Sequence, residues 1–329
     1  MTMTHDPNPA LYLPGHPLLR TTDLDEARDR VAQKFCDHRL TMVGSGAGFD
    51  VCHNHVMGQN MSVNYLDYGA DVHIDPGMLG TFYLLQIPLV GQAIVAHRGV
   101  EVLADASTAT ILNPDRATWM QWHAGCRKLL LQIDKTHMER VAEQLIGHAL
   151  PGPIRFDPGI DLAQGLGRNL RQMVITAARA AESGALFGPV MTGSDMRVEF
   201  DLAAALLTGQ ASNIHHIVQQ ADHGALPRDL RRAMDFICAN LSEPIQLSDI
   251  ARQAGVNIRT LQKGFIRSFG LTPMQVLRNA RLDSAHYQLL ARADPPSVTT
   301  AAFSNGFSHL GRFSQVYKAR FGHLPSHRH

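Results

Sequence analysis

Two stretches of this chain repeat one pattern, and the repeat limits its fold more than any other feature. Residues 255–270 read GVNIRTLQKGFIRSFG and residues 306–322 read GFSHLGRFSQVYKARFG. Each opens and closes on glycine. Each spaces large apolar side chains four apart: Leu261, Phe265 and Phe269 in the first, Phe313, Tyr317 and Phe321 in the second. That spacing lays three side chains along one helix face. A short helical stretch precedes each copy, over residues 247–254 and 298–305. Gly255 and Gly306 follow these stretches, where a tight turn needs left-handed backbone. Asn257 and Ser308 stand where the N-caps of the next helices are expected. The copies are offset by 51 residues before the turn and 52 after it, so the second turn holds one more residue.

Helix, glycine turn and capped helix with an apolar inner stripe describe a helix-turn-helix, whose second helix fits a DNA major groove about 12 Å wide. The segment between the copies, TPMQVLRNARLDSAHYQLLARADPP, predicts a long connecting helix from about Pro273, stopped by Pro295 and Pro296. About 19 helical residues span roughly 28 Å, against about 34 Å between successive major-groove faces. Charge agrees. Residues 225–329 hold 14 Lys and Arg against 6 Asp and Glu, whereas residues 1–224 hold 16 against 23. A basic tail on an acidic body suits an anionic partner. Two hairpins that merely pack on each other would need neither the charge nor the sized connector.

These residues resemble the AraC/XylS-type DNA-binding domain. The likeness is carried by LSDIARQAGVNIRTLQKGFIRSFGLTP, RNARLDSAHYQLL and GFSHLGRFSQVYKARFGHLP. It implies a ligand-responsive regulator of transcription, acting as an activator on double-stranded DNA, with RNA polymerase as a further partner. It implies DNA contacts from Arg259, Gln262 and Lys263, to which Thr260 and Arg267 on the same helix are added. In the second reader the corresponding residues are His309, Leu310, Arg312, Ser314, Gln315 and Lys318. Three residues depart from the family pattern. Gly264 and Gly311 each cost about 1 kcal/mol relative to Ala inside a helix, and Ala301 replaces a larger apolar residue.

The first half has a different texture. Residues 1–20 are Pro-rich and predict little order; residues 23–35 predict a helix with an acidic first turn. From Leu40 to Ile133, short β-rich runs such as MSVNYLDYG, TWMQWHAG and CRKLLLQI alternate with Gly, Pro, Asn and Asp punctuation. Strands at this spacing predict a compact barrel or sandwich. Residues 135–148 and 162–208 are helical in pattern, and residues 209–227 read as a polar linker. The segments TTDLDEARDRVAQKFCDHRL, YLDYGADVHIDPG and FYLLQIPLVGQAIV resemble the cupin-like sensor domain of one branch of the same family. In that branch a small β-barrel binds organic effectors, often aromatic acids or amines, and helices behind it dimerise. The expected architecture is therefore α+β. A cupin-like effector-binding and dimerisation domain spans 21–208, and an all-α double helix-turn-helix domain spans 228–329.

Candidate effector contacts are Tyr65, Tyr83, Trp119, Trp122 and Arg127, by the usual design of an apolar pocket with a few polar tips. Plain core packing, or a solvated strand-end arginine, explains each of them too. Trp119 and Trp122 would face opposite sides of a strand. His53 and His55, in CHNH, have the i, i+2 spacing of strand metal ligands. No acid follows before Asp67, so they are read as surface or loop histidines, and no metal or cofactor is expected. Four scattered cysteines with no C-x-x-C pair point to a reducing compartment. No signal peptide and no run long enough to span a bilayer is seen, so the expected location is cytoplasmic. No phosphate loop, nucleophile elbow or H-E-x-x-H is present, so no catalytic residue is assigned. Two alternatives stay open: a regulator whose first domain only dimerises, and a metal-dependent cupin enzyme.

Overall fold

The computed structural model describes residues 11–44, 46, 48–147, 149–150, 152–190, 192–221, 227–289, 296–321 and 323–326. The chain divides into two compact units. One comprises Met1–Met138 with Phe156–Ala211, and the other Glu139–Arg155 with Ser212–His329.

The first unit is built on two sheets. Its strands are β1 (Pro17–Thr21), β2 (Arg39–Met42), β3 (Val51–Met57), β4 (Met61–Asp67), β5 (Val72–Met78), β6 (Phe82–Val90), β7 (Ala93–His97), β8 (Val100–Ala104), β9 (Thr108–Leu112), β10 (Ala117–Trp122), β11 (Arg127–Asp134) and β12 (Gly159–Asp161). The strand orders are β1-β3-β4-β11-β6-β9-β12 and β2-β5-β10-β7-β8. β11 pairs antiparallel with both β4 and β6, so these three strands lie mid-sheet. Alternation sorts their side chains. Leu66, Phe82, Leu84 and Leu130 join Val72, Val95, Met120 and Trp122 in the core between the sheets. Val63, Tyr65, Tyr83, Leu85, Leu129 and Leu131 are buried on the opposite face. Both faces are covered, which explains near-continuous apolar runs in place of clean alternation.

Helix α1 (Leu24–Ala32) starts where the acidic turn predicts, with Asp23 accepting from Glu26 N–H. Helices α3 (Gly165–Glu182) and α4 (Gly193–Gly209) pack on each other. Glu199, fully buried on α4, accepts from the backbone N–H of Gln59 and Asn60 and from the Asn60 side chain, fastening α4 to the β3–β4 turn.

Three expectations need correction. Residues 17–20, predicted to have little order, belong with Thr21 to β1, paired against β3; Pro17 stands at the first strand position, where its missing N–H is tolerated. Residues 1–10 lie outside the described residues. His53 and His55 belong to strand β3, not to a loop, and His53 is fully buried. The stretch read as a polar linker holds a helix, α5 (His215–Ala221), with Ile214, Ile217 and Val218 buried; residues 222–226 lie outside the described residues.

The second unit is helical. After α2 (Lys135–Ile146), which crosses the division between the units, come α6 (Arg228–Ala239), α7 (Leu247–Ala254), α8 (Ile258–Phe269), α9 (Pro273–Leu289), α10 (Val298–Ser304) and α11 (Leu310–Phe321). Among the described residues no helix is long and apolar enough to cross a membrane.

Candidate nucleic-acid interface

The two helix-turn-helix units are α7–α8 and α10–α11. Gly255 ends α7 in the left-handed conformation (φ 76°), and Asn257 caps α8 by accepting from Thr260 N–H at 2.8 Å. Leu261, Phe265 and Phe269 are buried, their last two rings 5.0 Å apart. In the second unit Phe313, Tyr317 and Phe321 are buried in a core with Leu282, Ala285, Ala301 and Ala302. The first bond of α11 runs from Phe313 N–H to the His309 carbonyl, so the cap position is His309 and not Ser308.

α9 joins the two. Thr272 and Gln275 cap it reciprocally, Thr272 Oγ1 accepting from Gln275 N–H and Gln275 Oε1 from Thr272 N–H. Its 17 residues span roughly 26 Å. Three side chains on α9 fasten it to the loop after α6 and to the second unit. Arg281 donates to the carbonyls of Leu241 (2.7 Å) and Glu243 after α6, and of Gly306 (3.2 Å) in the second turn. Gly306 has φ 73°, and a Cβ there would lie 2.8 Å from the Arg281 guanidinium carbon, so only glycine fits. Asp283, buried, takes Arg320 of α11 and Arg155 (3.1 Å). Burial pushes its carboxyl up, while the two guanidiniums pull it back. Arg320 is thus tied inward, whereas the helical pattern alone points it outward. His286, buried, bonds the Tyr317 hydroxyl and stacks on Phe321 at 4.0 Å.

The outward faces differ between the units. Arg259, Thr260, Gln262, Lys263 and Arg267 are all exposed. At about 100° per residue they fall within an arc of about 160° outside the buried stripe, with Gln262 at its edge nearest Phe269. Ile266 lies inside that arc and is 50 % exposed. Sequence reasoning missed it because it asked only for polar groups there; an isoleucine outside the apolar stripe was the available signal. On α11, His309, Leu310, Arg312, Gln315 and Lys318 are exposed and Ser314 is half-buried. Leu310 and Ser314 sit beside the buried stripe, and Gly311, with nothing within 4 Å of a would-be Cβ, sits on the outward face with Gln315. Gly264 proves to be a close-approach glycine: a Cβ there would meet Leu230 of α6 at 2.8 Å. Arg252 pairs with Asp249, but no described ion pair engages Arg259, Lys263, Arg267, Arg312 or Lys318.

In the sheet unit the five candidate effector contacts are scattered. Tyr65 is buried, and burial pushes its hydroxyl to about 12. Tyr83 is buried edge-on to Phe156 at 5.6 Å. Trp119 is exposed beside His73 at 5.3 Å, while Trp122 faces the core against Tyr68 at 5.4 Å. Arg127 pairs with Asp67 at 3.1 Å. None of the five lines the half-open cavity of about 530 Å3 bounded by α1, β3, β4, β6, β11 and α2. Lys128, not singled out from the sequence, is fully buried. Its Nζ donates to Gln86 Oε1 at 2.8 Å and lies 4.0 Å over the Trp122 ring, and burial lowers it to about 8. His97 is a structural histidine: its Nε2 accepts from Asn113 N–H at 2.8 Å, its Nδ1 meets Thr118 Oγ1 at 2.8 Å, and burial drives its pKa to about 3.

Comparison with known proteins agrees with this geometry. The profile of an AraC-binding-like domain matches residues 27–208, and that of a helix-turn-helix domain matches residues 250–328. The chain is 29% identical over 312 residues to the "Probable thc operon regulatory protein" of Rhodococcus erythropolis, covering 92% of each. It is 27% identical over 300 residues to "XylDLEGF operon transcriptional activator 3" of Pseudomonas putida, covering 91% of this chain and 87% of that one. A crystal structure titled a "probable AraC family transcriptional regulator" from Rhodopseudomonas palustris CGA009 is 38% identical, with a TM-score of 0.29, over 30% of this chain and 93% of that one. A sheet unit joined to a double helix-turn-helix, matched by family profiles along both parts, places this chain in the AraC family of DNA-binding transcription regulators.

Proposed function

We propose that this protein is a ligand-responsive transcription activator that grips two successive major grooves of one duplex, α8 in one and α11 in the next. The observation that carries the reading is the outward face of α8. Five polar or basic side chains stand exposed there, outside a buried stripe. A 17-residue helix, fastened to the loop after α6 and to the second turn, joins the second reader to it and supports the paired reading. Gln262 reads a base edge, Arg259, Lys263 and Arg267 meet phosphates or guanine, and Ile266 offers an apolar contact to a thymine methyl. Activation is supported by the relatives named as operon activators. The sheet unit is the effector-responsive part, and an effector shifts DNA engagement only if it binds two states of the protein unequally.

The experiment is selection of bound sequences from random DNA, with and without candidate effectors. The expected product is a bipartite motif with halves about 10 base pairs apart. A motif with one half, or no enrichment, contradicts the reading. A dimer is part of it. The face between α3 and α4 carries a groove of about 400 Å3 lined by Met173, Leu186, Val198 and Leu202, which suits a second chain. Sedimentation of the full chain at micromolar concentration tests this.

A further inference from the structure

The sheet unit holds a cavity that none of the proposed DNA contacts lines. It holds about 530 Å3, and its walls include Lys34, His55, Asn60, Ser62, Gln132 and Asp134. That volume suits a small organic molecule.

A chain of hydrogen bonds runs along its wall, and its direction is fixed at one end. The Lys34 carbonyl can only accept, so Gln132 turns Nε2 toward it (3.3 Å) and Oε1 toward Ser62. The Ser62 hydroxyl donates to that oxygen at 2.9 Å, and its Oγ accepts from Asn64 Nδ2 at 3.0 Å. Asn64 Oδ1 then faces two imidazoles, His53 Nε2 at 3.0 Å and His55 Nδ1 at 2.8 Å. An amide oxygen only accepts, so both nitrogens carry hydrogen. Burial lowers the pKa of both rings, that of His53 to about 4, and the nearby Lys34 charge acts in the same direction. A neutral imidazole carries one hydrogen. His55 Nε2 is therefore bare, on a ring that lines the cavity. No described hydrogen bond engages it, and no described ion pair engages Lys34.

We propose that this cavity is the ligand site of the sheet unit and that it takes a small organic molecule presenting a hydroxyl or amide N–H to His55 Nε2. The inference rests on the ligand-responsive reading above and narrows the ligand. An organic ammonium would bring a second positive charge beside Lys34, and the Asp134 carboxylate on the same wall already accepts from the Thr136 hydroxyl and His137 N–H. A carboxylate aimed at His55 would set acceptor against acceptor. A phenolic hydroxyl or an uncharged amide avoids both.

The test uses the full chain, isotope-labelled in its histidines and titrated with para-cresol, its methyl ether para-methylanisole, and para-methylbenzylamine. His55, assigned by its loss in His55→Phe, should show hydrogen on Nδ1 and a bare Nε2. Para-cresol should bind about three- to tenfold tighter than the ether and shift the Nε2 resonance, with the amine weakest. In His55→Phe the cresol and the ether should bind alike. Hydrogen on His55 Nε2, equal binding of cresol and ether, a preference that survives His55→Phe, or no binding at millimolar concentration would each overturn the proposal. The wild-type preference for cresol over ether decides the matter even if the variant does not fold. Binding to the selected DNA is measured alongside. DNA binding without a cresol preference removes this inference and leaves the DNA reading; the converse removes the DNA reading and leaves the cavity.

Discussion

Replacing Lys128 with Met should abolish the rise in the sheet unit's stability that the native protein gains between about pH 8 and 10.5. Lys128 is fully buried, its ammonium meets only neutral groups among its described contacts, and its pKa falls from an ordinary 10.5 to about 8. At about 1.4 kcal/mol for each pH unit, that depression is a penalty of about 3 kcal/mol wherever the lysine is charged in both states. The sign follows from proton counts. Below pH 8 folded and unfolded chains both hold the proton, and the penalty is full. Between pH 8 and 10.5 the folded chain has released it while the unfolded chain keeps it, so native stability rises with pH. Above 10.5 both are neutral and the penalty is gone. Lys128→Met removes the penalty at every pH. It also removes the bond to Gln86, at about 1–3 kcal/mol for an acceptor left buried, and the contact with Trp122, at up to about 2 kcal/mol. At pH 7 these nearly cancel, and the variant should lie within about 2 kcal/mol of the native protein. By pH 10.5 it should have lost about 3 kcal/mol relative to it. Urea unfolding followed by tryptophan fluorescence reads this, because both tryptophans lie on β10 in the sheet unit. A difference that stays flat from pH 7 to 10.5 would show that the ammonium is not desolvated as described.

Gly264→Ala should destabilise the helical unit by about 1–3 kcal/mol, because the clash with buried Leu230 exceeds the helix gain. Gly311→Ala, with open space around it, should stabilise by up to about 1 kcal/mol; unfolding by circular dichroism measures both. Gln262→Ala should weaken binding to the selected site by about 1–3 kcal/mol and relax one position, as base readout does. Lys263→Ala, if it meets phosphate alone, should lower the salt slope by about one. Arg281→Ala removes bonds to the loop between α6 and α7 and to the turn of the second helix-turn-helix unit. It should reduce affinity for a bipartite site far more than for a single half-site in titrations with short duplexes.

The helical half was legible because its signals are local. Leu261, Phe265 and Phe269 declare a buried face by spacing alone, and Asn257 caps α8 as its position after the glycine turn predicts. Its tertiary fastenings were not. Arg281 and Arg320 look like solvent-facing cations until α9 brings the one to Gly306 and Asp283 to the other. Gly264 looks like a helix defect until Leu230 fills the space beside it. In the sheet unit the apolar runs of β4, β6 and β11 were visible, but β3 was not. CHNHV alternates no hydrophobic signal, because His53 and His55 spend their polarity on Asn64 from the neighbouring strand. Lys128 hid in CRKLLLQI for the same reason: a polar residue at an inward position is indistinguishable in sequence from one facing water. The cavity is formed by residues from six elements far apart in the chain, and no local pattern announces it.

The central claim is that one chain reads two adjacent grooves. Hydroxyl-radical footprinting of the full protein on its selected site tests this most directly. Two protected windows are expected on one face of the duplex, about 10 base pairs apart, with Gln262→Ala and Lys263→Ala together erasing one and leaving the other. A single window, or loss of both windows together from the α8 substitutions, would contradict it.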